Sequence, residues 1–299
     1  MSLTSYLTDA NHQALKTKFK TEFPFPGFNL KKDLVAPPLT KNYGIVGTAF
    51  DYLLRFYLQY HHQDKCVTND DWVAKFGFDG IKNVWKGKKT ELQKLSKRFS
   101  EVKKRHKLFL INGKLSNELI GGTLFLAKLD LYVRSRLIAP DIFIESDLDI
   151  QDLRNLYDTI SLDDFIAKER CFLNPHFGDG SALVSGADAD IILDDTLIDV
   201  KVTKNLTIER EYLNQIIGYY ILSLIGKINF EHSGKIINNV GIYFARHGLL
   251  WKISIASLGD EKKIEEFKNW FVSYFDTLKN ERKLARIAAR NMQEDKPSR

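Results

Sequence analysis

The chain has 299 residues, of which 44% are hydrophobic and 12% aromatic, and its formal net charge at pH 7 is +6. This length and apolar content are sufficient for a large folded core, which argues against an extensively disordered protein. The moderate positive charge permits a polyanionic partner without requiring one.

Cysteine usage and hydropathy exclude several further classes. Cys66 and Cys171 are far apart and lack the spacing of metal ligands, which argues against a disulfide framework, a zinc site or a cysteine-held iron–sulfur cluster. We interpret them as inert thiols in a reducing compartment. The first twenty residues lack the apolar segment of a signal peptide, and the apolar run at 216–226 is too short to cross a bilayer. We therefore expect a soluble, cytoplasmic protein without membrane contact; the sequence does not indicate its oligomeric state.

The N-terminal region, residues 1–165, is predicted to be mainly helical. Its first forty residues end in a Phe- and Pro-rich stretch, from Phe23 to Pro38, which we interpret as an extended arm lying over the fold. A helix is predicted over about residues 43–60, because apolar side chains recur there at helical spacing. The same criterion predicts a second helix from Asn117 to about Leu137, after which an acidic segment with helix signals follows.

Residues 64–115, between these two helices, are interpreted as an insertion of mixed short elements. Within it, the basic segment from Lys82 to Lys107 holds eleven Lys or Arg residues and only two acids. Such a segment is either a solvated helix face or surface hairpin, or a surface that contacts phosphates.

The second region, residues 166–299, changes from helical to strand periodicity. Strands at 189–193 and 196–203, joined through Asp194 and Asp195, predict a β-hairpin. A helix is predicted to begin at Thr207, which is a suitable N-cap, and to end near residue 225.

A second hairpin and a terminal helix complete this region. The hairpin is predicted from 240–244 and 249–255, with its turn at His247 and Gly248. The apolar stripe between Ile264 and Leu278 predicts a long amphipathic helix. The order of helix, two strands, helix, two strands and helix is typical of a mixed α/β domain.

The first hairpin carries charged residues on one face of otherwise apolar strands. Residues two apart in a strand share a face, so Asp199 and Lys201 lie together, as do Asp188 and Asp190. A tight turn pairs the strands antiparallel and brings the Asp190 end of one beside the Lys201 end of the other. We therefore predict that these side chains converge, unless the hairpin merely exposes a charged face to solvent.

Such a group suits the hydrolysis of a phosphodiester bond. Two carboxylates can hold Mg²⁺ or Mn²⁺, which prefer oxygen ligands. The ion would lower the pKa of a water molecule and neutralise negative charge on the phosphate. A neighbouring lysine could orient that water or stabilise the developing charge. An acid-x-lysine tripeptide alone is a weak signal, and its position on a strand with a partner aspartate strengthens it.

Asp190 followed by Asp199-Val-Lys201 resembles the D…(D/E)xK signature of the PD-(D/E)XK nuclease superfamily. Downstream, Gln215-Ile-Ile-Gly-Tyr219 resembles the QhxxY motif of its RecB-like branch, on the helix where that branch keeps it. The resemblance implies an α/β, restriction-endonuclease-like core: a mixed β-sheet flanked by helices, here with a helical N-terminal elaboration.

The resemblance also implies the activity, which is Mg²⁺- or Mn²⁺-dependent hydrolysis of DNA. Asp190, Asp199 and the Val200 carbonyl would bind the metal, and Lys201 would assist the water. Gln215 and Tyr219, one helical turn apart, would bind the scissile phosphate or a water on the metal. DNA would contact this site and the basic segment Lys82–Lys107.

The first predicted helix carries a departure from the family pattern. Gly47-Thr-Ala-Phe-Asp51 is similar to the first-helix motif, in which a histidine commonly supplies a metal ligand, but Asp51 stands at the histidine position. Asp51 either replaces the histidine as an oxygen ligand or pairs with Arg55 across one turn. Both interpretations remain open.

Other residues and functions stay as alternatives. Asp188 is either a carboxylate that supports the site or a solvated one, and His176 is either a turn residue or a ligand. Asp130 and Glu169 are outside candidates for a further acid. A ribonuclease would use the same residues as a deoxyribonuclease. A catalytically silent protein of this fold would bind nucleic acid or act as a scaffold.

Overall fold

The computed structural model describes residues 2–68 and 72–294, and the side chains up to residue 284. This part of the chain contains eight β-strands. They are β1 (Cys66–Thr68), β2 (Cys171–Leu173), β3 (Ile191–Leu193), β4 (Thr196–Lys201), β5 (Lys227–Ile228), β6 (His232–Ser233), β7 (Asn239–Phe244) and β8 (Leu249–Ser254).

Ten α-helices occur in the same described ranges, and seven of them precede residue 165. They are α1 (Leu3–Thr8), α2 (Gln13–Glu22), α3 (Tyr43–His61), α4 (Val73–Val84), α5 (Lys89–Asn112), α6 (Asn117–Ser135), α7 (Asp147–Tyr157), α8 (Asp179–Leu183), α9 (Arg210–Ile225) and α10 (Glu261–Glu294). No helix in the described chain combines the length and apolar character needed to cross a membrane.

Six strands form one mixed sheet in the order β1-β2-β3-β4-β7-β8, while β5 and β6 form a separate pair. Both predicted hairpins are present as antiparallel pairs, β3 with β4 and β7 with β8. β4 and β7 are parallel, and α9 makes the crossover between them, as parallel neighbours require. The prediction of an α/β protein with a mixed sheet and a large helical N-terminal region is confirmed.

Helices cover both faces of the sheet, so its central strands are buried on both sides. On one face Leu197 of β4 packs with α9, α10 and the N-terminal helices α1 and α2. On the other face Ile198 packs with α3, α6 and α7. Asp199 shares the first face with Leu197, because alternate strand residues point the same way. Its carboxylate therefore lies under helix α9 and not on a solvated surface.

The segment predicted as mixed short elements, residues 64–115, is instead dominated by two helices, α4 and the 24-residue α5. Both pack on α6 and form a third apolar cluster around Phe99 and Val102. Strand β1 of this segment extends the sheet by pairing with β2. The prediction of short elements is wrong because apolar residues spaced three and four apart along α5 give that helix a buried face among its many lysines.

Helix α9 begins at Arg210, with Glu209 at the N-cap, and not at Thr207 as predicted. Ile208 explains the difference, because its side chain is buried in the cluster on this face of the sheet. The chain stays non-helical through Thr207 and Ile208, and the helix starts only beyond them.

The two cysteines are neighbours in the fold. Cys66 of β1 lies opposite Cys171 of β2, and their sulfur atoms are 2.9 Å apart as free thiols. The hydrogen bond from Cys66 and burial raise the pKa of the Cys171 thiol. A raised thiol pKa lowers the thiolate fraction and hence the reactivity.

Candidate active site

The candidate site lies where β3 and β4 approach α9. Ile191 pairs with Ile198, so the antiparallel register places Asp190, the preceding residue, beside Asp199. The Oδ2 atom of Asp190 accepts a hydrogen bond from the Val200 backbone N–H at 2.7 Å. This bond crosses from the start of β3 to β4 and fixes the position of the Asp190 carboxylate.

Asp199 and Lys201 form an ion pair inside the fold. The Asp199 Oδ2 and Lys201 Nζ atoms are 2.6 Å apart, and the two side chains are 1% and 17% exposed. A carboxylate taken out of water normally needs a counter-charge, and within the described residues the Lys201 ammonium supplies it to Asp199 Oδ2.

Lys201 is also held from α9. Its ammonium donates to Gln215 Oε1 at 2.9 Å, and Gln215 Nε2 lies 2.9 Å from the Tyr219 hydroxyl, to which it donates. Gln215 and Tyr219 are one turn apart on the helix, which places both on the face toward β4. The structure thus joins Asp199, Lys201, Gln215 and Tyr219 in one continuous chain of contacts.

The electrostatics of the group favour an additional cation. Burial, followed by the charges of Asp199 and Asp51, raises the pKa of Asp190 to about 8. Burial also raises the pKa of Asp199, although Lys201 opposes the shift. Burial alone would lower the pKa of Lys201, but Asp199 and Asp190 outweigh it and raise that pKa. One ammonium thus faces several carboxylates, an arrangement that a bound cation would relieve.

The carboxylates of the group suit a hard divalent cation, but they would supply only part of its ligands. Asp190 and Asp199 supply carboxylate oxygens, which Mg²⁺ and Mn²⁺ prefer. Among the described residues there is no group of three or more His, Cys, Asp or Glu placed to hold a metal ion. The remaining ligands would have to be water, substrate or backbone oxygen, as is common for Mg²⁺. The Val200 carbonyl stays a prediction in this role.

Asp51 lies on α3, next to the group. Its Oδ2 pairs with Arg55 Nη2 at 2.5 Å, so the ion pair of the two interpretations is present, and the role of Asp51 as a metal ligand stays a prediction. The Arg55 guanidinium also lies over the Tyr52 ring, 4.5 Å from its centroid. Asp51 still affects the site, because its charge raises the pKa of Asp190 and Asp199.

A cleft of about 730 Å³ opens beside these residues. Its walls carry Asp190, Lys201, Gln215 and Tyr219 together with Asp51 and the cations Arg55 and Arg134, whereas the buried Asp199 does not line it. Helix α1 adds hydroxyl groups that the sequence reasoning missed, from Thr4, Ser5 and Thr8. No signal in the sequence points to them, because α1 reaches the cleft through tertiary contacts, by packing on α9 and by the hydrogen bond from the Leu3 backbone N–H to the Gly186 carbonyl.

Three further candidates, Asp130, Asp188 and His176, lie in or near this part of the fold. Asp130 is buried at the cleft wall, accepts from the Tyr52 hydroxyl at 2.9 Å, and has its pKa raised by burial to about 6. Asp188 forms an isolated β-bridge with His176 and lines the cleft. Its side chain keeps contact with solvent, and partial burial raises its pKa. His176 Nδ1 accepts from the backbone N–H two residues later at 3.1 Å, which is the behaviour of a turn residue.

Glu169 is wrong as a candidate acid. It is exposed and pairs with Arg170 at 3.5 Å. Its backbone N–H donates to Asp194 at 2.7 Å, which belongs to the hairpin turn. The turn lies at the far end of β3 and β4 from Asp190 and Lys201, so Glu169 cannot reach the cleft.

Comparison with protein-family models, with curated proteins and with solved structures finds no match for this chain. Its function is therefore inferred from the site itself.

Proposed function

We propose that the protein is a metal-dependent nuclease with a PD-(D/E)XK core that hydrolyses DNA phosphodiester bonds. The observation that carries this proposal is the convergence of Asp190, Asp199 and Lys201 with Gln215 and Tyr219; all of them except the buried Asp199 line one cleft. The order of elements supports the proposed core: helix α3, the antiparallel strands β2, β3 and β4, the crossover helix α9 and the parallel strand β7.

Asp190 and Asp199 would hold Mg²⁺ or Mn²⁺, which when bound activates water and neutralises charge on the phosphate. Lys201 carries a point charge at the same place and can donate to the attacking water or to the phosphate oxygens. Gln215 accepts a hydrogen bond from the Lys201 ammonium and donates one to the Tyr219 hydroxyl. These contacts favour a positioning role for Gln215 and Tyr219, while their direct contact with phosphate stays a prediction.

The basic segment Lys82–Lys107 supports a polyanionic substrate. All nine of its lysines are exposed. Of its eleven basic residues only Arg98 pairs with an acid, Glu145, among the described residues. Helix α5 therefore presents uncompensated positive charge, which suits contact with phosphates. Replacement of these lysines by glutamine should weaken DNA binding and flatten its salt dependence while leaving the site beside α9 intact.

The test is a cleavage assay on single- and double-stranded DNA and RNA, with Mg²⁺, with Mn²⁺ and with EDTA. We expect metal-dependent cleavage that falls at least about 100-fold in Asp199→Ala and in Lys201→Ala. Glu211→Gln is the matched control, because Glu211 is exposed on α9 outside the cleft. Cleavage that persists in EDTA, or that survives Asp199→Ala, would contradict the proposal.

A second candidate is a protein of the same fold that binds nucleic acid without cleaving it. Two observations favour it: Asp51 is engaged by Arg55, and no group of three metal-ligating side chains occurs in the described chain. Binding of the substrates above without any hydrolysis would select this candidate, and cleavage of RNA alone would select a ribonuclease.

A further inference from the structure

A second, smaller cavity of about 220 Å³ adjoins the cleft. It lies between α3, α5, Trp72 and the end of β2. The two spaces share Arg55 and Asn174 as wall residues. A ligand in the smaller cavity would therefore lie next to anything bound in the cleft.

Four aromatic rings line this cavity: those of Tyr52, Phe56, Trp72 and His106. The Trp72 ring is half-buried, with its centroid 5.5 Å from that of Phe56 and 5.4 Å from that of His106. Burial lowers the pKa of His106 to about 4, so its ring is uncharged at neutral pH. The Phe56 and His106 rings pack on each other with centroids 4.0 Å apart, and Arg55 covers the Tyr52 ring. The half-buried Trp72 ring is therefore the surface suited to stacking with a nucleobase.

The charged residues that line the cavity, among those the structure describes, are all positive. Lys103 and Lys107, one turn apart on α5, stand at its wall together with Arg55 of α3, and none of the described residues that line it is acidic. The cleft, by contrast, contains several carboxylates. Arg55 is paired with Asp51, so the unpaired positive charge among the described lining residues is that of Lys103 and Lys107. Aromatic rings combined with these two lysines suit a ligand that has both a planar ring and negative charge.

We propose that this cavity binds one nucleotide, with its base among the rings and its phosphate at Lys103 and Lys107. A volume of about 220 Å³ is below the usual size of sites for drug-sized ligands, about 300–1,000 Å³. It therefore suits one unpaired base and not a base pair. The placement of that nucleotide within a DNA strand that enters the cleft rests on the proposed function, whereas a free nucleoside monophosphate offers the same chemistry.

The proposal gives the basic helix α5 a specific part in binding. A strand that follows the exposed lysines would reach Lys103 and Lys107 last, insert one base beside Trp72, and pass Arg55 into the cleft. Most lysines of the segment would then bind single strands and duplexes alike through phosphates. Only the residues that line the cavity would distinguish an unpaired base.

Binding is measured in EDTA by fluorescence anisotropy, with a labelled 12-nucleotide oligodeoxythymidylate and a labelled 12-base-pair duplex. The double variant Lys103→Gln/Lys107→Gln is compared with Lys97→Gln/Lys104→Gln, which removes the same charge from the same helix outside the cavity. The first should weaken single-strand binding about tenfold more than duplex binding. The second should weaken both equally.

Trp72→Leu should also weaken single-strand binding about tenfold, with circular dichroism to verify that it folds. Trp72→Phe keeps an aromatic ring, so it should retain the affinity while losing the quenching of tryptophan fluorescence on binding. Equal effects of the two lysine doubles, or unchanged quenching in Trp72→Phe, would overturn the proposal. Competition by dTMP would extend the site to free nucleotides, and its absence together with oligonucleotide binding would assign the site to the strand.

The outcomes for the cavity and for the nuclease are separable. Cavity-dependent binding without hydrolysis would reject the nuclease and retain the nucleotide site. Metal-dependent hydrolysis with unchanged single-strand affinity in Lys103→Gln/Lys107→Gln would retain the nuclease and reject the nucleotide site.

Discussion

Replacement of Lys201 by methionine tests whether the carboxylates of the site are held inside the fold. Methionine keeps much of the volume of lysine but removes the ammonium that lies 2.6 Å from Asp199 Oδ2. Asp199 is then a buried carboxylate without its counter-charge, a change that typically costs about 3–5 kcal/mol of stability. We therefore expect a large loss in the free energy of unfolding at neutral pH.

The cost has an upper bound, because Asp199 can take up a proton. Protonation of a carboxyl group with an ordinary pKa of 3.8 costs about 4 kcal/mol at pH 7 but under about 2 kcal/mol at pH 5. The folded-state pKa of Asp199 in the variant lies above its unfolded value, so the folded state binds more protons and stability falls as the pH rises. The expected loss is thus about 3–4 kcal/mol at pH 7 and under about 2 kcal/mol at pH 5.

The assay is urea denaturation followed by circular dichroism at both pH values. Lys204→Met is the matched control, because Lys204 is exposed just beyond β4 and its replacement should change stability by less than about 0.5 kcal/mol. If Lys201→Met costs no more than the control, or costs as much at pH 5 as at pH 7, the carboxylates are not desolvated and the reasoning fails.

Divalent cations extend this test. If Asp190 and Asp199 hold Mg²⁺ or Mn²⁺, a concentration one hundred times the dissociation constant should stabilise the folded protein by about 2.7 kcal/mol. Lys201→Met should gain at least as much as the original chain, because the ion replaces the missing charge. Asp199→Asn should gain little. Equal stabilisation of Asp199→Asn would show that the ion binds elsewhere.

Three further predictions concern other parts of the fold. Burial lowers the pKa of His106 to about 4 from an ordinary 6.5, so the contribution of the neutral ring to folding stability is present above pH 6.5 and is lost as the pH falls. Between pH 7.5 and 5 the free energy of unfolding of the original chain should fall by about 2 kcal/mol more than that of His106→Phe. Asp152 and Arg246 form a buried pair, each 1% exposed, with Nη1 2.7 Å from Oδ1; Asp152→Ala should cost about 3–5 kcal/mol in urea denaturation, and the double variant Asp152→Leu/Arg246→Met should recover most of it. Iodoacetamide at pH 8 should alkylate Cys171 only after unfolding, as followed by mass spectrometry, because the hydrogen bond from Cys66 and burial raise its pKa. Rapid alkylation of Cys171 in the folded chain would contradict this.

Local patterns predicted the elements that carry their own signal. The apolar spacing indicated α3, α6 and the stripe of α10, and turn residues between β-branched segments indicated both hairpins. Strand alternation together with an antiparallel turn also predicted that Asp190, Asp199 and Lys201 would meet, since both rules act over a few residues. The later start of α9 could not be predicted, because it depends on the burial of Ile208 against distant residues.

The sequence by itself determined the α/β class, the charged end of the β3–β4 hairpin and the helix face shared by Gln215 and Tyr219, because strand and helix periodicity place those side chains. Only the tertiary structure decided what surrounds them. The capture of Asp51 by Arg55, the hydroxyl groups of α1 in the cleft, the pairing of Cys66 with Cys171 and the aromatic cavity beside α5 all join residues distant in sequence. Such contacts arise from burying several helices on one sheet, and no short-range pattern encodes them.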